Sequence, residues 1–267
     1  MKSEKLDLNQ INRMSNTNDF AAVAAEVENK LPADAVKLDK TLLPSRGKLY
    51  PNDIYVKKLS TLNIKNLSTL NESNGNFVLN SVLSSCVFGI KTDDILVGDK
   101  LWLIFYLRAY TYDDFPFKIK HKCEHCENTV SLTYTLKNLK VDYLDKPIPN
   151  EIALLNGDNI KIKFPTIKSE AQNNRLVKSP DIIENINPEL LNFAQNIAEI
   201  NGKKVNVYPQ AYEYVCNMDA QTFSKLVNDL TEYQFTVRPY AEFECPECGE
   251  TVLETVPFSP VFFLPKL

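Results

Sequence analysis

Four of the six cysteines occur as two C-x-x-C pairs, the pattern in this sequence that most directly predicts chemistry. Cys123 and Cys126 form the first pair (CEHC), and Cys245 and Cys248 form the second (CPEC). A spacing of two residues lets one tight turn direct both sulfurs at the same ion, and structural Zn²⁺ takes four ligands in a tetrahedron. The pattern therefore predicts one structural Zn²⁺ per chain, bound by all four thiolates.

The distance along the chain between the two pairs is unusual for such a site. A stretch of 118 residues separates Cys126 from Cys245, whereas common four-cysteine sites have roughly 15–20 residues between their pairs. A shared ion would therefore join distant parts of the chain. The predicted arrangement is a zinc ribbon split into two halves by a large segment.

Other interpretations of the cysteines stay open, namely a redox-active dithiol and unliganded thiols. A redox pair normally begins a helix after a strand, where the helix dipole lowers the thiol pKa, but both pairs here lie between strand-like segments. His125 lies inside the first pair and could replace a cysteine, although four thiolates already complete the shell. Cys86 and Cys216 lie in apolar stretches and are predicted to be buried thiols.

Each cysteine pair is predicted to lie at the tip of a β-hairpin. Apolar and polar residues alternate along 117–122 and 129–136, on either side of the first pair, and TVRPYAEFECPECGETVLET repeats this arrangement around the second. Lysines flank the first pair and glutamates surround the second, so weak attraction of about 0–1 kcal/mol per ion pair is expected between the hairpins. These side chains are Lys118, Lys120, Lys122, Glu242, Glu244, Glu247 and Glu250.

The segments outside these hairpins show helical periodicity and turn signals. GDKLWLIFYLRAY is too continuously apolar for a surface stripe, so it is predicted to be a central buried helix with Asp99 as its N-cap. Residues 60–88 are predicted to be helical. Other boundaries are predicted from a hairpin turn at Asn156-Gly157, a helix start at Asn187-Pro188-Glu189 and a helix cap at Asp219.

These elements predict an α+β fold, a helical body with β-hairpins in which the two C-x-x-C hairpins pair as a split zinc ribbon. Residues 1–40 are predicted to form an N-terminal arm with a short amphipathic helix, whose apolar stripe runs from Phe20 to Leu31. Residues 41–150 and 151–267 are predicted to be two α+β halves with one zinc knuckle each. The halves are expected to form one interlocked domain.

The composition argues against several classes of function. The net charge is −4 and only 5 of the 30 cationic residues are Arg, whereas duplex binding normally needs a basic field with Arg contacts. Seven glycines are few for a chain with a glycine-rich phosphate-binding loop. The two histidines are only four residues apart, which leaves few options for an enzyme that needs a separately placed imidazole. We therefore expect neither nucleic-acid binding nor enzymatic activity.

The chain is expected to act in a reducing, cytosol-like environment. No apolar stretch approaches the ~18 residues of a membrane span, and the first residues lack the apolar core of a signal peptide. In such an environment paired cysteines more often bind metal than form disulfides.

Three segments resemble the baseplate hub subunit family of T-even-type contractile-tailed bacteriophages. They are TLLPSRGKLYPNDIYVKKLS, then DDILVGDKLWLIFYLRAYTYDDFPFKIKHKCEHC, then FECPECGETVLETVPFSPVFFLP. The shared features are a Leu-Pro-Ser-x-Gly loop, a Gly-Asp-led helix carrying Leu-Arg, paired C-x-x-C knuckles and a terminal Phe-Phe. The resemblance covers most of residues 41–265.

The resemblance implies a non-enzymatic structural or assembly protein of the tail baseplate hub, with a structural metal. Its partners would be other phage tail and baseplate proteins, and an oligomer within the hub is compatible with it. The protein would occupy the host cytoplasm during assembly and, as a virion component, the tail baseplate. The alternative hypothesis is a zinc-ribbon nucleic-acid-binding or transcription-associated module, which would need a basic face and salt-sensitive DNA binding.

Overall fold

The computed structural model describes residues 31–71, 73–113, 117–178, 186–255 and Phe263. The α-helices within these described residues are α1 (Thr61–Leu67), α2 (Gly75–Cys86), α3 (Val97–Thr111), α4 (Ile167–Lys178), α5 (Pro188–Ala194), α6 (Tyr212–Cys216) and α7 (Ala220–Thr231). The strands are β1 (Val36–Lys37), β2 (Tyr55–Val56), β3 (Val87–Phe88), β4 (Phe117–Lys122), β5 (Thr129–Tyr134), β6 (Leu139–Asp142), β7 (Ile152–Ala153), β8 (Asn159–Ile162), β9 (Ile197–Ile200), β10 (Lys203–Lys204), β11 (Thr236–Glu244) and β12 (Thr251–Thr255). The mixture of helices and small sheets confirms the predicted α+β class.

The strands form four antiparallel sheets. Their orders are β1-β2-β3, β10-β9-β8-β7, β12-β11-β6 and β4-β5. Both cysteine pairs lie in turns between paired strands, as predicted, because β4 pairs with β5 and β11 pairs with β12. The amphipathic helix predicted from Phe20 to Leu31 lies outside the described residues, apart from Leu31 itself.

Helix α3 is the central buried helix that the apolar run predicts. Nine of its fifteen residues are buried, among them Leu103, Ile104, Phe105 and Leu107. The core around α3 combines residues from Leu38 to Ile167 with residues from Phe235 to Phe263. Apolar residues are therefore buried on nearly all sides of this helix, which explains why its sequence shows no amphipathic stripe.

Asp99 is not the N-cap of α3, and that prediction was wrong. The helix begins at Val97, and Asp99 is a fully buried residue of its first turn. Its carboxylate accepts hydrogen bonds from the Ser45 amide and the Tyr50 hydroxyl, each at 2.8 Å. Burial raises the pKa of Asp99 above its ordinary value, although these bonds act to lower it. Asp99 thus joins the Leu-Pro-Ser loop to α3 instead of capping it.

A second core lies within residues 152–230 and contains the sheet β7–β10. It packs side chains such as Ile160, Ile197, Leu191 and Leu226 between that sheet and helices α5, α6 and α7. The chain contributes to the first core, then builds the second, and returns to the first at Phe235. The predicted division at residues 150 and 151 stays a prediction.

The three boundary signals in this second region are confirmed. The Asn156-Gly157 turn connects β7 to β8, with Gly157 at a φ of 87°. The Asn187 side chain accepts the amides of Glu189 and Leu190 at the start of α5. Asp219 caps α7 in the same way, through the amides of its second and third helical residues.

Gly98 allows α3 to approach the start of β11 closely. A Cβ atom at this position would lie 2.2 Å from the carbonyl oxygen of Phe235, a distance that no side chain tolerates without displacing the backbone. The contact fixes β11, and therefore the turn that follows it, against the central helix. Among the helices that the structure describes, none is long and apolar enough to cross a membrane.

Candidate metal centre

Two turns with the same backbone geometry carry the cysteines; we call residues 123–128 the first knuckle and residues 245–250 the second knuckle. In the first, the Cys123 amide donates to the carbonyl of Asn128 at 3.0 Å. In the second, the Cys245 amide donates to the carbonyl of Glu250 at 2.8 Å. Each bond joins residues five apart, so each turn closes in the same way.

Both knuckles also contain one residue in the left-handed backbone region, directly after the second cysteine. These residues are Glu127, with a φ of 59°, and Gly249, with a φ of 75°. Their amides donate to the carbonyls of Cys123 and Cys245, both at 2.9 Å. Glycine adopts this conformation freely, whereas glutamate does so at a cost. The expectation that Gly249 supplies a positive φ is confirmed.

The two knuckles bring all four sulfurs together, although the pairs are separated by more than a hundred residues. The Cys123 and Cys248 sulfurs lie 3.8 Å apart, those of Cys126 and Cys245 lie 3.9 Å apart, and all four lie within 4.8 Å of one another. A tetrahedral ion with Zn–S bonds near ~2.3 Å requires sulfur separations of about 3.8 Å. A disulfide would need about 2.05 Å. The cluster is therefore compatible with zinc and inconsistent with disulfides.

The environment of the thiols favours ionisation of one sulfur and opposes it at another. The amides of Cys126 and His125 lower the pKa of Cys123 to about 6. The Glu250 amide acts to lower the pKa of Cys248, but burial and the three neighbouring sulfurs raise it to about 12. Because four thiolates repel one another, complete ionisation requires a cation among them.

The contact between the hairpins next to the sulfurs involves His121 rather than the lysines. His121 Nδ1 lies 2.5 Å from a carboxylate oxygen of Glu254, which connects β4 to β12. The predicted attraction of Lys118, Lys120 and Lys122 for the glutamates was wrong, since none of the three forms an ion pair with a described residue. They lie on the exposed face of β4, whereas Glu242 pairs with Lys140 of the adjacent β6.

The remaining cysteines lie away from the cluster. Cys86 is fully buried in the first core, as predicted. The prediction that Cys216 is buried was wrong, because this residue is exposed at the end of α6. That short helix directs Tyr212 and Val215 into the second core, which leaves the following residue on the outer side. His125 is exposed at the tip of the first knuckle.

Sequence reasoning did not identify the His121–Glu254 contact, the Asp99 network or the function of Gly98. Alternation along β4 placed His121 on the same face as Ile119, which was the available signal for the first. The burial of Asp99 was not predicted because its residue type and its place near the helix start are also those of an N-cap. No local feature of the sequence around Gly98 indicates the distant backbone that it contacts.

Two hairpin tips bring four cysteines together in an α+β fold, an arrangement consistent with a zinc-ribbon-like site. Residues 39–264 match the family described as T4 bacteriophage base plate protein. The chain belongs to this family and is a baseplate protein of the T4 type. Comparisons with curated proteins and with solved structures found no match. The matched range includes both knuckles and helices α1 to α7.

Proposed function

We propose that the chain is a structural or assembly protein of the baseplate hub that acts by contacts with other tail proteins and not by catalysis. The observation that carries this proposal is the baseplate family match over residues 39–264. The assignment to the hub rests on the resemblance of the loop, helix and knuckle segments. The protein is present in the host cytoplasm during assembly and, as a hub subunit, in the virion baseplate.

The chain further uses one structural Zn²⁺, held by Cys123, Cys126, Cys245 and Cys248. The sulfur separations of 3.8 and 3.9 Å support this assignment, and soft thiolates are ligands that Zn²⁺ accepts readily. When bound, the ion supplies a rigid tetrahedral junction between two turns. Four protein ligands complete its shell, so the proposed site is structural.

Fractionation of the baseplate tests the hub assignment. Mass spectrometry of purified particles should detect the chain together with central baseplate proteins if it is a hub subunit. Detection in assembly intermediates but not in mature particles would identify an assembly factor. Absence from both, or salt-sensitive binding of the purified chain to DNA, would contradict the proposal and favour the nucleic-acid-binding alternative.

Metal analysis tests the zinc assignment separately. The full chain, purified without chelators, should contain one zinc per molecule, and the Cys216→Ser variant should contain the same amount because Cys216 is exposed and distant from the cluster. Less than one zinc per chain after addition of Zn²⁺ would contradict the assignment.

A further inference from the structure

The two hairpins that carry the knuckles differ in how their backbones are held. Strands β4 and β5 pair only with each other, and no other described strand extends their ladder. Strand β11 pairs with β12 on one side and with β6 on the other. An isolated two-stranded hairpin is at best marginally stable in water, whereas a third strand adds substantial support. The β4–β5 hairpin therefore depends on side-chain contacts to remain in place.

Those side-chain contacts run along the hairpin, because Val130 and Leu132 of β5 are buried in the first core. At the base, the Tyr134 ring lies 5.9 Å from the Phe243 ring of β11 and 6.5 Å from the Phe105 ring of α3. At the tip, His121 contacts Glu254. The four sulfurs also meet at the tip, two from each hairpin. A metal ion there would attach the tip of one hairpin to the tip of the other, because it forms bonds to both hairpins at once.

We propose that Zn²⁺ controls the docking of the β4–β5 hairpin on the β6-β11-β12 sheet, an inference that rests on the zinc site proposed above. With the ion bound, the first knuckle is fixed against the second. Without it, the hairpin separates from the sheet at its tip while the sheet itself persists. The chain thus has a metal-dependent conformation confined to one hairpin.

The rest of the molecule has support that does not involve the sulfurs. Strand β11 is bonded to β6 and contacts α3 at Gly98. The second core, within residues 152–230, contains none of the four cysteines. Loss of the ion removes none of these contacts, so the structural change should be confined to the β4–β5 hairpin.

Hydrogen exchange measured by mass spectrometry on the full chain tests this inference. The chain is loaded with Zn²⁺, its metal content is measured, and half of the sample is treated with EDTA. At free Zn²⁺ about 100 times the dissociation constant, linkage lowers the undocked population about 100-fold. Amides of residues 118–134 should therefore exchange up to about 100-fold faster after EDTA. Amides of β6, β11 and the second core should change little.

A variant in the opposite hairpin makes the test specific. Cys248→Ser leaves residues 117–134 unchanged in sequence, yet it should accelerate their exchange as EDTA does, because the ion loses a ligand from the other side. Cys216→Ser is the matched control and should exchange like the original chain with Zn²⁺ bound.

The outcomes separate this inference from the zinc assignment. A loaded chain whose residues 118–134 exchange at the same rate with and without metal would overturn the inference and leave the zinc site intact. Loss of protection throughout the chain on metal removal would also overturn it, since the response would then be global. Failure to bind Zn²⁺ at all would overturn the zinc assignment and the inference with it.

Discussion

The first and second knuckles have the same turn and unequal support. Both close with an amide-to-carbonyl bond across residues five apart, and both place a residue of positive φ after the second cysteine. The second knuckle extends from a sheet of three strands that contacts the central helix, whereas the first extends from a pair of strands that no other described strand joins. The backbone geometry of each cysteine turn is thus specified by nearby residues, but the rigidity of the hairpin that carries it depends on the strands and helices packed against that hairpin.

The comparison also separates the geometry of the site from its stability. Equal turns allow the four sulfurs to approach tetrahedral distances. Under the zinc assignment proposed above, unequal support means that the ion would stabilise the β4–β5 hairpin more than the β11–β12 hairpin. The changes that test this difference range from loss of a sulfur ligand, which should affect both knuckles most, to replacement of exposed lysines.

Removing a ligand from either knuckle should have the same large effect despite their unequal support. Cys123→Ser and Cys245→Ser should each abolish binding of one zinc per chain and speed amide exchange in residues 118–134 up to about 100-fold, because either change removes a ligand of the shared ion. Elemental analysis and hydrogen exchange measure these effects. If one of the two variants keeps its zinc with unchanged affinity, the ion is not shared.

Weakening the support of the second knuckle should have an intermediate effect. Gly98→Ala places a Cβ atom 2.2 Å from the Phe235 carbonyl oxygen, and such overpacking costs about 1–3 kcal/mol. Urea unfolding of the zinc-loaded chain measures the loss. Gly75→Ala is the matched control, since nothing lies within 4 Å of its Cβ position and it begins a helix; it should remain within about 1 kcal/mol of the original. Equal stabilities of the two variants would contradict the proposed close approach.

Exchanging the residues of positive φ should shift the two knuckles in opposite directions. Gly249→Ala should lower the free energy of unfolding by about 1 kcal/mol, because a side chain is disfavoured in the left-handed region. Glu127→Gly should raise it by up to about 1 kcal/mol for the converse reason. Thermal or urea unfolding detects both changes.

The control for this pair lies in the same turn. Glu124 is exposed and does not have a positive φ, so Glu124→Gly should cost about 0.5–1 kcal/mol through the entropy of the unfolded chain. Stabilisation by Glu124→Gly comparable to that by Glu127→Gly would show that backbone conformation is not the cause.

The smallest effect is expected for the lysines of β4. Replacing Lys118, Lys120 and Lys122 by Gln should change the free energy of unfolding by no more than about 0.5 kcal/mol, because exposed side chains without ion pairs contribute little. Zinc affinity should also be unchanged. A marked loss of either would restore the hypothesis that charge attraction holds the hairpins together.

Much of the local structure could be predicted from the sequence, because its signals act over a few residues. The caps at Asn187 and Asp219, the turn at Asn156-Gly157 and the positive φ at Gly249 all follow from short-range hydrogen bonding and backbone sterics. Predictions were wrong where a residue typical of one local structure makes a tertiary contact instead. Asp99 has the residue type and position of a cap, but the buried Ser45 amide and Tyr50 hydroxyl hold its carboxylate instead.

Cys216 shows a related difficulty. Its apolar neighbours indicated burial, but the side of a five-residue helix that faces the core depends on how α6 packs against the second core. Periodicity over so short a helix cannot distinguish one face from another.

By itself, the sequence determined the α+β class, the two hairpin turns and the four sulfur ligands proposed for the ion, because each depends on residue types at short spacing. Only the tertiary structure decided that Cys123 lies beside Cys248 and Cys126 beside Cys245. It also decided that Gly98 sets the approach of β11 to the central helix and that, within the described part of the chain, no third strand joins the β4–β5 hairpin. These features join residues far apart in the chain, and their geometry depends on the packing of the whole core, which no local pattern encodes.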